Sequence, residues 1–225
     1  MSSFDEIKKA NPDKTIYDIN SDEFADFGLV YKQYDLSKVT NYMDSKIEIP
    51  SDHNDYIPDD ENIENDAAIK QIAADVYAGM PISAGPCVGQ STSFSAIEFH
   101  QGSEVNITFT DVVMVLGKRQ DIHDYEYNAE EHAKLFFVPR GTVFEMYSDT
   151  LHYSPCKVDD GGFKAIVMVL QGTNQPLPDG FKATNKMIVK QNKFQMAHAV
   201  RKDKIAQGIL PGVKGKLIDI KPIQK

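Results

Sequence analysis

The sequence predicts an all-β-dominated fold, a small barrel or jelly roll with helical extensions, and three observations point there. Short apolar segments with a period of two recur from Ser91 to Leu170, which is the spacing of strands exposed on one face. Turn residues separate them at short intervals: Gln101-Gly102-Ser103, Pro139-Arg140-Gly141, then Gly172-Thr173-Asn174 with Pro176 and Pro178. Across Phe94–Thr110 one face is apolar while the other carries ionisable and polar groups, a pattern that suits the wall of an enclosed cavity. At 225 residues the chain is expected to form one domain. Residues 1–90 form an α/β extension packed on the barrel, 91–175 the barrel core, and 176–225 the strands that complete it.

Taken in order, Thr15 to Ile19 is a short strand. Ser21 caps a short helix over SDEFADF that Gly28 ends, and Leu29 to Tyr34 is a second strand. Leu36 to Met43 is a helix, and Ser51 to Glu64, rich in Asp and Asn, is a loop. That loop lacks the D-x-D-x-D-G order of a calcium loop. Asn65 to Ala78 sets Ala67, Ile69, Ile72, Ala73 and Val76 at helical spacing, and the Pro- and Gly-rich Met80–Gln90 leads into the barrel. Strands follow at Ser91–His100, Glu104–Thr110, Val112–Leu116, Leu135–Val138, Thr142–Tyr147, from Thr150, and at Phe163–Leu170. The tail adds Lys186–Lys190, Asn192–His198 and a last strand, Lys216–Ile220.

Composition excludes several functions. A net charge of −9 opposes non-specific binding to nucleic acid or to an anionic membrane, since both need a basic surface. Cys87 and Cys156 make neither a CxxC motif nor a disulfide framework, which fits a reducing compartment. The polar amino terminus lacks the apolar core of a secretory signal, and no apolar run reaches bilayer length, so a cytoplasmic protein is expected.

The chemistry-bearing residues cluster. Glu98 and His100 share a strand face, and Glu104 returns after a three-residue turn. In a hairpin, opposed residues have Cβ atoms roughly 5 Å apart, close enough to share one cation. Mixed imidazole and carboxylate donors suit zinc and equally manganese, iron or nickel. His152 is the best ligand from a further strand, and Glu145 the next. Glu145 reads as ligand, general base or surface residue, with base preferred because a carboxylate beside a cavity can be tuned for proton transfer.

These residues resemble the two cupin motifs. In the first, G-x5-H-x-H-x3/4-E-x6-G, Glu98-x-His100-x3-Glu104 matches with Glu in place of the first His, and Gly117 lies beyond the closing Gly. In the second, G-x5-P-x-G-x2-H-x3-N, Pro139-x-Gly141 matches, but Phe144 holds the histidine position, so His152 would replace that ligand. The wider pattern EFHQGSEVN, FFVPRGTVFEMYSDTLHYSPC and NKFQMAH is similar to a cupin-type family long described as of unknown function, found near carbohydrate genes of Gram-positive bacteria. Some members of that family are assigned as isomerases of sugars or sulfosugars such as sulfoquinovose. SDEFADFG is faintly similar to ureidoglycolate lyase.

The resemblance implies a divalent transition metal on Glu98, His100, Glu104 and His152, and an aldose–ketose isomerisation through an enediol. Glu145 and Lys193 are the expected catalytic residues, and Arg140, Asn106 and His198 the substrate-binding ones. The substrate is a sugar or an anionic sugar derivative, and cupin habit implies a homodimer. A lyase of the ureidoglycolate type and a non-catalytic sugar-binding cupin are the rival readings.

Overall fold

In the computed structural model, which describes residues 2–224, two sheets face each other across one apolar core. A 6-stranded sheet runs Gly28–Tyr31, Val143–Met146, Glu104–Thr108, Phe163–Leu170, Ile82–Gly89 and Asn54–Tyr56 from edge to edge. The opposing sheet sets Ile16–Asp18 beside Lys134–Val138 and then Val112–Lys118, against which Thr150–Leu151 and Cys156–Lys157 both pair. Alternation decides what fills the space between them. Met114, Leu116, Phe136 and Val138 from one sheet meet Phe144, Met146, Phe163 and Val169 from the other.

The outer faces are covered differently. Val105, Ile107, Val143, Ile166 and Met168 point away from the other sheet and pack under the helices Ser37–Lys46 and Ala67–Tyr77. The second helix starts where the Asp66 side chain accepts from the Ala68 N–H, and it buries Ile69, Ile72 and Tyr77 on that sheet. The outer face of the opposing sheet, with Val113, Val115, Leu135 and Phe137, packs on the Ser3–Ala10 helix and on a third sheet. There Lys193–His198 pairs with Ile188–Lys190, Leu210–Lys214 and Ala96–Phe99, and Tyr127–Asn128 lies beyond. No helix among the described residues is long and apolar enough to cross a membrane.

Five expectations change. The Pro- and Gly-rich stretch expected only to lead into the barrel is itself the eight-residue strand Ile82–Gly89. Gly85 is required there, because a Cβ would sit 1.9 Å from the Ile57 carbonyl oxygen of the passing chain. Pro86 is tolerated because the edge strand beside it stops at Tyr56, paired with Cys87. The Asp-rich stretch holds the edge strand Asn54–Tyr56 and a short helix, Glu61–Glu64. The last strand is Leu210–Lys214, not Lys216–Ile220, where Asp219 makes an isolated bridge to Ser93. The first ninety residues are not merely packed outside, since three of their strands belong to the 6-stranded sheet.

The fifth change concerns the site. Ala96–Phe99 and Glu104–Thr108 do not form a hairpin: the former pairs with Lys193–His198, the latter with Val143–Met146 and Phe163–Leu170. Gln101-Gly102-Ser103 is a corner between two sheets, and Gly102 takes the positive φ of 87° that the corner needs.

Candidate metal centre

Parity places the central carboxylate. With Val105 and Ile107 facing the helices, Glu104, Asn106 and Thr108 face the space between the sheets, all buried. Glu104 Oε2 lies 3.4 Å from His100 Nε2 and 3.3 Å from His152 Nε2. His100 arrives over the corner, and His152 follows the Thr150–Leu151 strand and bridges to Glu98. Glu98 Oε1 is 4.0 Å from His100 Nε2. Ligand atoms of Glu98, His100 and His152 lie within 4.8 Å of one another.

Both imidazoles are held from behind. His100 Nδ1 lies 2.8 Å from the Asn192 carbonyl oxygen, and His152 Nδ1 lies 3.0 Å from that of Thr150. A carbonyl can only accept, so each Nδ1 carries a hydrogen and each ring turns its Nε2 inward. Those two buried Nε2 atoms have no hydrogen-bond partner among the described residues, although Glu104 lies beside both. Metal–ligand bonds of about 2.1 Å place neighbouring ligand atoms about 3.0–3.4 Å apart at octahedral or tetrahedral angles. The Glu104–imidazole separations meet that requirement, and the donor set fits a divalent transition metal.

The electrostatics keep both carboxylates ionised. Burial alone would push the Glu104 carboxyl up, but the His152 and His100 imidazoles outweigh it and hold Glu104 well below the usual carboxylate range. Burial likewise opposes charge on His152, yet the Glu104 carboxylate, with Glu98 behind it, raises that imidazole to about 9. Glu98 too is lowered against its burial, chiefly by Lys193, whose Nζ sits 2.8 Å from Oε2. Gln195 donates to the same oxygen at 2.7 Å. A cavity of about 150 Å³ opens beside these groups, walled by Tyr56, Cys87, Asn106, Tyr153, Asn174 and Lys204 among others.

The sequence profile of the family described as Domain of unknown function (DUF4867) matches residues 16–218. The chain belongs to this family. No curated protein matches it. Among solved structures, oxalate decarboxylase from Bacillus subtilis at pH 4.6 is similar at 9% identity, with 97% of this chain and 48% of that chain covered and a TM-score of 0.38. A Trp-to-Phe variant of the B. subtilis enzyme is similar at 12% identity, over 67% of this chain and 37% of that one, with a TM-score of 0.36. The chain thus spans less than half the length of these decarboxylase chains. The fold assignment stands on the sheet topology itself.

In this DUF4867 domain the expected site residues divide. Glu98, His100, Glu104, His152, Asn106 and Lys193 come together, with Asn106 Nδ2 donating to Glu104 Oε1 at 2.8 Å. Glu145 does not join them. It is one residue out of parity, pairs with Val105, and accepts from the Tyr31 hydroxyl at 2.5 Å on the helix-covered face. Arg140 sits in an exposed turn, bound to Asp44 at 2.6 Å and to the Phe109 carbonyl. His198 turns its Nε2 towards the Gly215 carbonyl, 3.1 Å away and outside the cavity.

Gln195, Lys204, Tyr56 and Tyr153 are cavity residues that sequence reasoning missed. Gln195 was within reach, because in NKFQMAH it shares a strand face with Lys193. Lys204, lowered by burial and by Arg201, comes from a short helix with no motif of its own.

Proposed function

We propose that this DUF4867 chain is a metal-dependent isomerase of a small hydroxy-carbonyl compound of the sugar type, bound in the cavity beside Glu104. One observation carries the metal part: two buried imidazoles, each fixed by a backbone carbonyl, turn partnerless Nε2 atoms onto one carboxylate. The motif resemblance to cupins and to their sugar isomerases supports the reaction class. A divalent transition metal on His100, His152 and Glu104, a set that leaves positions open for substrate, would supply Lewis-acid polarisation of the carbonyl.

The rest falls to side chains. Moving a proton between adjacent carbons requires a group that accepts and returns it at the cavity wall. Glu98 has that place: it is further from the His100 imidazole than Glu104 is, and its Oε2 is held by Lys193 and Gln195. In this reading Glu98 carries the proton and Lys193 orients it and keeps it ionised. Asn106 and Tyr153 offer polar groups to substrate hydroxyls.

The test begins with metal content of protein purified without a metal-affinity step, for wild type, His100→Ala and Glu98→Gln. Stoichiometric metal in wild type and Glu98→Gln, absent from His100→Ala, is the expected result. Aldoses, ketoses and their anionic derivatives are then incubated in D₂O, where wild type should incorporate deuterium next to the carbonyl and Glu98→Gln should not. Wild type that stays free of metal after incubation with zinc, manganese, iron and nickel overturns the reading.

A further inference from the structure

We propose that Asn192 is a positioning residue for His100, its side-chain amide clamping the turn whose carbonyl fixes the imidazole. The inference rests on the metal reading above for what the imidazole is held to do.

The two histidines are supported in unlike ways. His152 takes its carbonyl from Thr150, two residues back along its own chain, so local geometry suffices. His100 takes its carbonyl from Asn192, 92 residues away, in the turn between Ile188–Lys190 and Lys193–His198. A distant acceptor fixes a ring only when it is itself fixed against the backbone that carries the ring. The Asn192 side chain makes that connection. Its Oδ1 accepts from the Gln101 N–H at 2.8 Å, and its Nδ2 donates to the Gln101 carbonyl at 3.0 Å. The primary amide thereby pairs with the residue following His100 much as a neighbouring strand would.

A third bond, from Nδ2 to Thr173 Oγ1 at 2.8 Å, ties the same turn to the end of the barrel. The Asn174 N–H donates to the Gln191 carbonyl and the Gln191 N–H to the Gln175 carbonyl, so the chain leaving the barrel and the chain returning are joined at Asn192. The backbone asks for such a residue as well. Asn192 has a φ of 51°, in the left-handed region that Asn tolerates better than most residues. The side chain of Asn192 therefore sets the turn and binds Gln101, and the backbone carbonyl of the same residue selects the His100 tautomer that turns Nε2 inward.

The experiment uses full-length wild type, Asn192→Gly, Asn192→Asp and Asn192→Ala. Zinc affinity is measured by competition with a chromophoric chelator. The His100 and His152 tautomers are read by nitrogen NMR on zinc-free protein, at a pH where the ring concerned is neutral. Glycine keeps the left-handed backbone and the carbonyl but removes the clamp, so it remains informative where the strained alanine variant unfolds.

The expected result for Asn192→Gly is zinc affinity lower by about 10–100-fold, the range for losing an outer partner of a ligating histidine. His100 should show a mixture of tautomers while His152 keeps its Nδ1–H form. Asn192→Asp retains the acceptor for the Gln101 N–H but loses the amide donors, and should fall between glycine and wild type. Wild-type affinity together with a single His100 tautomer in Asn192→Gly overturns the proposal. Wild-type protein that takes up none of zinc, manganese, iron and nickel defeats the metal reading by itself, and the metal-free tautomer signal then still decides the role of Asn192.

Discussion

Glu104 and Glu145 stand on neighbouring strands of one sheet and have opposite surroundings. Glu104 pairs with Met146, and Glu145 pairs with Val105, so the two carboxylates differ by one step of parity. That step puts Glu104 between the sheets, against two imidazoles, and Glu145 beneath the helices, against a tyrosine hydroxyl. Two acidic residues on adjacent strands are therefore not two parts of one site. Which face a strand residue takes matters more here than how near it lies to a motif.

The comparison breaks most visibly if the central carboxylate is neutralised. Glu104→Gln removes the carboxylate charge nearest to both Nε2 atoms, and metal uptake should vanish, as mass spectrometry of the purified variant would record. Retention of wild-type metal content would mean that Glu104 is no ligand.

A smaller effect concerns pH in the metal-free protein. His152 is raised from 6.5 to about 9, so its contribution to stability is complete below pH 6.5 and is lost as pH rises through about 9. Glu104 is held below its ordinary 4.5, so its contribution is present above pH 4.5 and is lost as pH falls through the lowered value. The pair therefore contributes most between pH 4.5 and 6.5 and less on either side. Denaturant unfolding of wild type and Glu104→Gln from below pH 4.5 to above pH 9 should show the stability difference largest between pH 4.5 and 6.5 and shrinking on either side. A difference independent of pH would contradict the coupling.

The smallest effect belongs to the other face. Glu145→Gln and Tyr31→Phe each disturb a single hydrogen bond and should cost about 1 kcal/mol in chemical denaturation. Metal content should stay at the wild-type level in both. Loss of metal from either variant would show that the two faces communicate through the sheet.

Most strands were legible because their alternation survives in the sequence: Phe163 to Leu170 was expected and found over the same residues. Ile82–Gly89 was hidden by Gly85, Pro86 and Gly89, which ordinarily mark a loop; here close passage of the Ile57 segment and the end of an edge strand require or tolerate them. At the site, the sequence showed that His100 and Glu104 could meet, but by the wrong route. A hairpin and a corner between sheets share the same turn residues, and local sequence does not distinguish a strand's partners. Glu145 misled because it sits among motif residues, and its orientation follows from a register that only the folded sheet reveals. Asn192 could not be found from spacing at all, since its partners lie far along the chain.

The order of strands also bears on how the molecule is made. Phe163–Leu170 lies inside the 6-stranded sheet, between Glu104–Thr108 and Ile82–Gly89. Until residue 170 has left the ribosome, two parts of that sheet lack the strand that joins them, and the cavity lacks a wall. The His100 carbonyl partner is made later still. Contacts so distant in sequence slow folding, so the nascent chain must carry unpaired strand edges at least until Phe163–Leu170 has emerged.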